Sequence, residues 1–249
     1  MNEIKNNTSL DNSQFKPYNI ERLLQIRSFY LITKEFFELH NREIQEKYNE
    51  ESINLARNLG IEEVLALDFK PFFMNLLFID IRTTLEIYFN GVLGFIFVGN
   101  LDVLKNSNKQ YSTEEILSHI HGVGFLIDFL VEKEIKKFNE KNSKCKIEYL
   151  KKLLNKKNIL NETLINQFIE VSEIRNLLVH NEGYINERFE KTVDNPRYKT
   201  CSQIIVDEEM LLEAIDSMIS FINAIDKELC EKFRNISVGY DADQDSEVM

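Results

Sequence analysis

The sequence contains no Trp, only 3 Pro, 8 Gly and 3 Cys in 249 residues. Gly and Pro are too scarce for many short strands joined by tight turns, so the composition favours long helices. The cysteines, Cys145, Cys201 and Cys230, are odd in number, widely spaced and include no CxxC pair. That excludes a disulfide scaffold and a zinc-finger ligand set, and fits a reducing cytoplasm. The N-terminus has no basic region followed by an apolar run, so no signal peptide is expected. The most apolar stretch, Phe72 to Val98, is interrupted by Asn75, Asp80, Arg82, Thr83, Thr84, Glu86 and Asn90. Those groups are costly in lipid, so the stretch reads as a buried helix or helix pair and no membrane partner is expected.

What the chain does have is 43% apolar residues, with 18 Phe and 9 Tyr, enough to bury a sizeable core. Its formal charge of -11 argues against binding nucleic acid through an overall positive field, while leaving room for a local cationic cleft. The expected organisation is a polar arm over 1–17, one all-α domain over 18–236 and an acidic tail over 237–249. A first helix is expected from about residue 19 to a stop near Gly60, with a break near His40, an isolated His that reads as surface or a local cap. The next follows Asp68-Phe69-Lys70-Pro71. Within it Arg82 and Glu86 stand four apart and can pair, with Asp80 close by. Either this is a structural ion pair, or Arg82 and Glu86 lie behind an active cleft. Gly91 and Gly94 lack the strand and glycine pattern of a phosphate loop.

Residues 101–111 read as a polar connection, and Ser112 with Glu115 has capping-box spacing. His119 and His121 would point about 200° apart on a helix, and no nearby Asp, Glu or Cys completes a metal site; no metal and no cofactor is expected. Residues 133–157 carry ten Lys. They fit a solvated helical hairpin, or a surface that attracts phosphates without reading sequence. Ser202 to Val206 reads as a short extended piece, and Asp207 as the cap of a last helix over roughly 208–234.

The informative stretch is Asn161 to Phe189. Leu164, Phe168, Val171, Ile174 and Leu178 recur at spacings of three and four, while Gln167, Glu170, Glu173, Asn176 and His180 form a polar track. Arg175 and His180 would stand about 7.5 Å and 140° apart on an uninterrupted helix, so they would not converge within one protomer. Either the helix ends early and turns the His inward, or a two-fold partner brings a second pair opposite the first. Histidine is the side chain suited to moving protons near neutrality, and an Arg can hold a phosphate as a 2′-oxygen attacks phosphorus. Asn176 and Asn181 would orient His180, the backbone or the nucleotide, and Gly183 would permit the turn. The competing reading pairs Arg175 with Glu170 or Glu173 and makes His180 a helix C-terminal cap.

The segment EIRNLLVHNEGYINERF resembles the motif helix of the HEPN superfamily, in which an Arg is followed by a polar residue, commonly Asn, and after three to five more residues by a His. The resemblance implies an all-helical bundle with additional helices and a homodimer with a composite cleft. It also implies metal-independent endoribonuclease activity on RNA, in phage defence or toxin–antitoxin growth control with an antitoxin or defence partner. Arg175 and His180 then take the catalytic positions, and Asn176, Asn181 and Glu173 the orienting ones. Glu182 stands where the antitoxin-modified branch has a Tyr, so that modification is not expected. A non-catalytic interaction domain of the same fold is the alternative, favoured by the Glu-rich motif face.

Overall fold

Pro17 and Pro71 sit in the first turns of the two longest described helices, α1 (Phe15–Lys47) and α2 (Phe69–Gly99). The first four N–H groups of a helix have no partner within it, so a proline there removes no hydrogen bond and its fixed φ suits the turn. For this reason α1 begins ahead of the start expected near residue 19, and α2 takes in the Phe-Lys-Pro expected to precede it. The computed structural model describes residues 8–9, 15–47, 69–105, 112, 114, 116, 123–193, 202–234 and 237–238. Six more helices follow: α3 (Leu101–Lys105), α4 (Val123–Asn139), α5 (Ser143–Leu154), α6 (Glu162–His180), α7 (Glu187–Thr192) and α8 (Glu208–Phe233). The fold is all-α. Among the described residues, extended pairing is confined to β1 (Thr8–Ser9) against β2 (Ser237–Val238), antiparallel, and a bridge between Tyr184 and Gln203. Leu101, Val103 and Leu104 give α3 its place inside the expected polar connection, closed by the Val103 N–H on the Asn100 carbonyl at 3.1 Å.

The helices divide into two compact units, with the division falling inside α2 after Leu85 and inside α8 after Phe221. The first holds residues through Tyr18, Glu86–Asn161 and Ile222 onward. Its core is a chain of rings in which Tyr88 meets Phe89, Phe89 meets Phe138 and Phe138 meets Tyr149 at 5.2–5.4 Å between centroids. Buried Asp226 accepts from the Tyr88 hydroxyl at 3.2 Å and lies 3.8 Å from Lys16, so a carboxylate in the core keeps a donor and a cation. The lysine-rich stretch forms the expected hairpin of α4 and α5. The Asn142 side chain caps α5, accepting from the Cys145 N–H at 2.8 Å, and Asn155 ends it in the left-handed region at φ 53°. Five of the ten lysines are engaged in that packing. Lys133, Lys141 and Lys146 lie over the rings of Phe129, Tyr149 and Phe138, Lys151 pairs with Glu148, and Lys156 with Glu228 and Glu231.

The second unit, Asn19–Leu85 with Glu162–Phe221, holds α1, the first half of α2, α6, α7 and the start of α8. Helix α1 is tied in by Arg22 to Asp80 at 2.9 Å, Arg27 to Asp216 at 2.8 Å and Lys34 to Glu208 at 2.8 Å. It buries Leu23, Ile26 and Tyr30, yet Leu24, Phe29, Leu31, Ile32 and Leu39 on the other side are exposed, Ile32 at 66%. Glu21, Gln25, Ser28 and Glu35 are exposed among them on that side. Helix α2 is long and apolar enough to cross a membrane by length and composition, with 56% of the qualifying window buried inside the structure. Its buried run from Phe73 through Phe97 serves both units as core.

Candidate functional site

Helix α6 is buried on nearly every side in its middle, at Phe168, Ile169, Val171, Ser172, Glu173, Ile174 and Leu177. Phe168 is fully buried, stacked on Phe221 at 4.6 Å and 11°, with the buried Arg82 guanidinium 5.7 Å from its ring centre. The track expected to be polar and open is therefore sealed at Glu173, which is 4% exposed. The helix is exposed at Glu162 and Thr163 at its start and at Val179 and His180 at its end, where Asn181 and Glu182 continue the exposed surface. Arg175 and His180 belong to the second of these.

The termination is set by two left-handed residues in succession, Glu182 at φ 51° and Gly183 at φ 80°. They let the N–H groups of Asn181 and Gly183 both return to the Leu177 carbonyl at 2.9 Å, satisfying the last turn. Beyond them the Ile185 N–H donates to the Ser202 carbonyl and the Ile204 N–H to the Gly183 carbonyl, each at 2.9 Å. The Gln203 side chain donates to the Glu182 carbonyl at 2.9 Å. The extended Ser202–Val206 piece thus clamps the turn. The Asn186 side chain then caps α7, accepting from the Phe189 N–H at 3.0 Å, and Phe189 is buried as its anchor.

Helix α6 runs without a break through His180. The early ending that would have turned His180 back toward Arg175 does not occur, and the backbone phase between the two is the full 140° or so. The half-buried Arg175 has its Nε buried with no hydrogen-bond partner among the described residues, and its Nη1 reaches the Asn176 Oδ1 at 3.5 Å. Its head thus leans toward the His180 side of the helix. Among the described residues Arg175 makes no ion pair, so the expected pairing with Glu170 or Glu173 is not what holds it. Exposed His180 has no hydrogen-bond partner among the described residues. Of the roles expected of Asn181 it takes the backbone one, its Nδ2 donating to the Tyr184 carbonyl, so it shapes the turn.

Glu173 faces Arg188 of α7, Oε2 to Nε at 4.0 Å, and its Oε1 is buried with no hydrogen-bond partner among the described residues. Arg188 was not among the residues singled out in the sequence. The signal was a capping Asn186 followed two residues on by an Arg, but only the tertiary fold brings it to α6. Arg82 touches the motif helix through Phe168, seven residues before Arg175, while Glu86 lies in the other unit. His119 and His121 lie outside the described residues, as does the His40 side chain. Among the described residues no group of three His, Cys, Asp or Glu is arranged to hold a metal ion. No family model matches the chain, and no curated protein or solved structure is significantly similar to it.

Proposed function

We propose that this chain is a metal-independent endoribonuclease of the HEPN type that acts as a homodimer, in phage defence or toxin–antitoxin growth control. The observation that carries the reading is the end of α6, where exposed His180 and an Arg175 that pairs with no carboxylate among the described residues share one unbroken helix terminus. In the reaction, one His180 takes the proton of a ribose 2′-hydroxyl as that oxygen bonds to the adjacent phosphorus. The bond from phosphorus to the 5′-oxygen breaks, and that oxygen takes a proton from the second His180 across the two-fold axis. Arg175 holds the phosphate oxygens while negative charge builds on them. The products are a 2′,3′-cyclic phosphate and a 5′-hydroxyl, and the chemistry draws on the two side chains alone.

Two copies are needed because the phase along α6 keeps Arg175 and His180 of one copy apart, and an isologous interface brings equivalent residues together. The exposed side of α1 supplies a surface for the second copy. Leu24, Leu31, Ile32, Leu39 and Phe29 lie within an arc of about 160°, and Phe29 meets Phe73 at 5.7 Å, next to exposed Leu76 of α2. At roughly 100 Å² each, these six side chains offer about 600 Å² of apolar surface, most of the ~800 Å² that each partner gives to a stable interface. The test is cleavage of single-stranded RNA by purified H180A and R175A proteins, with circular dichroism and sedimentation as controls. Both variants should lose cleavage and keep helix content and dimer. Full activity in both would refute the reading and favour the alternative, a non-catalytic interaction domain, for which the acidic Glu170 and Glu182 beside the motif speak.

A further inference from the structure

We infer that Arg188, mounted on buried Glu173, is a second phosphate-binding arginine of this site and holds a phosphate that flanks the one being cleaved. The inference rests on the ribonuclease reading above. Glu173 and His180 are seven residues apart on α6, about 10 Å along the axis and only about 20° from exact alignment. Asn176 lies between them on the same side. Arg175 is rooted well round the helix from this line and only its head leans toward it, so Arg188 adds a second arginine to the His180 face.

The mount is built rather than incidental. The Glu173 side chain is 5% exposed and that of Arg188 69%, so the carboxylate lies beneath and the guanidinium above it. The closest approach is through Nε, and neither terminal amino group of the fork comes nearer to the carboxylate. That fork is the geometry that grips phosphate oxygens in pairs. The backbone beneath it is fixed by the Asn186 cap and by buried Phe189, with the Thr192 hydroxyl donating to the Arg188 carbonyl at 2.8 Å. Glu173 itself is incompletely satisfied, one oxygen without a hydrogen-bond partner among the described residues and the other only 4.0 Å from its cation. A buried carboxylate in that state favours a cation beside it, and at 4.0 Å the pair leaves the exposed guanidinium available to a ligand. Glu173 is thus the positioning residue and Arg188 the binding residue.

Glu173, over which Arg188 is anchored, lies about 10 Å along α6 from His180, so Arg188 is placed for a phosphate beside the one His180 serves. The strand then lies along the last two turns of α6, from Arg188 past Asn176 to His180, and the ligand must carry at least two phosphates. A dinucleoside monophosphate has only the scissile one and gives Arg188 nothing to hold.

The experiment compares the wild-type protein with R188Q on a single-stranded oligoribonucleotide and on a dinucleoside monophosphate. The preference in kcat/KM for the oligonucleotide should shrink about tenfold in R188Q, the scale of one lost charge-assisted contact. R188K should recover part of it. E173Q should shift the same ratio in the same direction, less strongly. A fall of equal size on both substrates, or no change in their ratio, overturns the inference while leaving the ribonuclease reading in place. A binding measurement decides the matter independently of catalysis. In the H180A background, the affinity for the labelled oligonucleotide should weaken on adding R188Q, and the slope of log affinity against log salt should fall by about 0.7. An H180A protein whose RNA affinity and salt slope ignore Arg188, or which binds no RNA, overturns it. Binding that depends on Arg188 in a wild-type protein that cleaves nothing would sink the ribonuclease reading instead and leave Arg188 as a phosphate contact.

Discussion

Replacing Gly183 by Ala tests the geometry of the turn that ends α6. Gly183 sits at φ 80°, and a Cβ added there would stand 3.2 Å from the Ile204 carbonyl oxygen. An L-residue in the left-handed region costs about 1 kcal/mol relative to glycine. The contact adds about 1 kcal/mol more, because its relief requires backbone distortion. The carbonyl cannot simply retreat. Ile204 is tied to the turn by its own N–H on the Gly183 carbonyl at 2.9 Å, and Ser202 is tied to Ile185 at 2.9 Å. A loss of about 2 kcal/mol should appear as a fall of roughly 4–8 °C in the midpoint of thermal unfolding for a chain of this size. Glu182 is the built-in comparison, since it occupies the left-handed region at φ 51° already and is exposed. Asn adopts that region more readily, so E182N should leave the midpoint unchanged or raise it by a degree or so, about a few tenths of a kcal/mol. An unchanged midpoint in G183A, or an equal loss in both variants, would show that the clamp does not set the turn.

Two further outcomes follow from other parts of the structure. Burial pushes the Tyr149 phenol up to about 12, above its ordinary 10, so its contribution to stability is complete below pH 10 and is lost as pH rises from 10 toward 12. Over that interval the urea-unfolding advantage of wild type over Y149F should shrink by roughly 2–3 kcal/mol, and parallel curves would refute the burial argument. Ile32, 66% exposed on α1, should tolerate Glu as a folded helix residue but not as an interface residue. I32E should therefore sediment as a monomer with unchanged helix content and reduced cleavage, whereas a persisting dimer would move the interface elsewhere.

Much of the helical plan was legible because it depends on neighbours in sequence. The spacing of Leu164, Phe168, Val171 and Ile174 gave α6, and Asp207 caps α8 as its position implied, accepting from the Met210 N–H at 2.8 Å. The start of α1 was misplaced because Pro17 was read as ending an arm when the first turn accommodates it. The polar track on α6 was over-read. Glu173 belongs to it by spacing, but α7 folds over that side and brings a cation fifteen residues away in sequence, which periodicity along one helix does not report. Which of the roles open to Asn181 it takes was not legible, since its backbone partner exists only once Gly183 has reversed the chain.

The two-sided apolar character of α1 bears on dosage. If its solvent side closes only on another copy, folding stability and catalytic competence both become functions of how much protein is present, and the thermal midpoint should climb with concentration. At low abundance the number of complete sites would then grow with the square of the protein level. A cell carrying a trace of this chain would be nearly unaffected, while a modest rise in synthesis or a fall in turnover would carry it across a steep threshold.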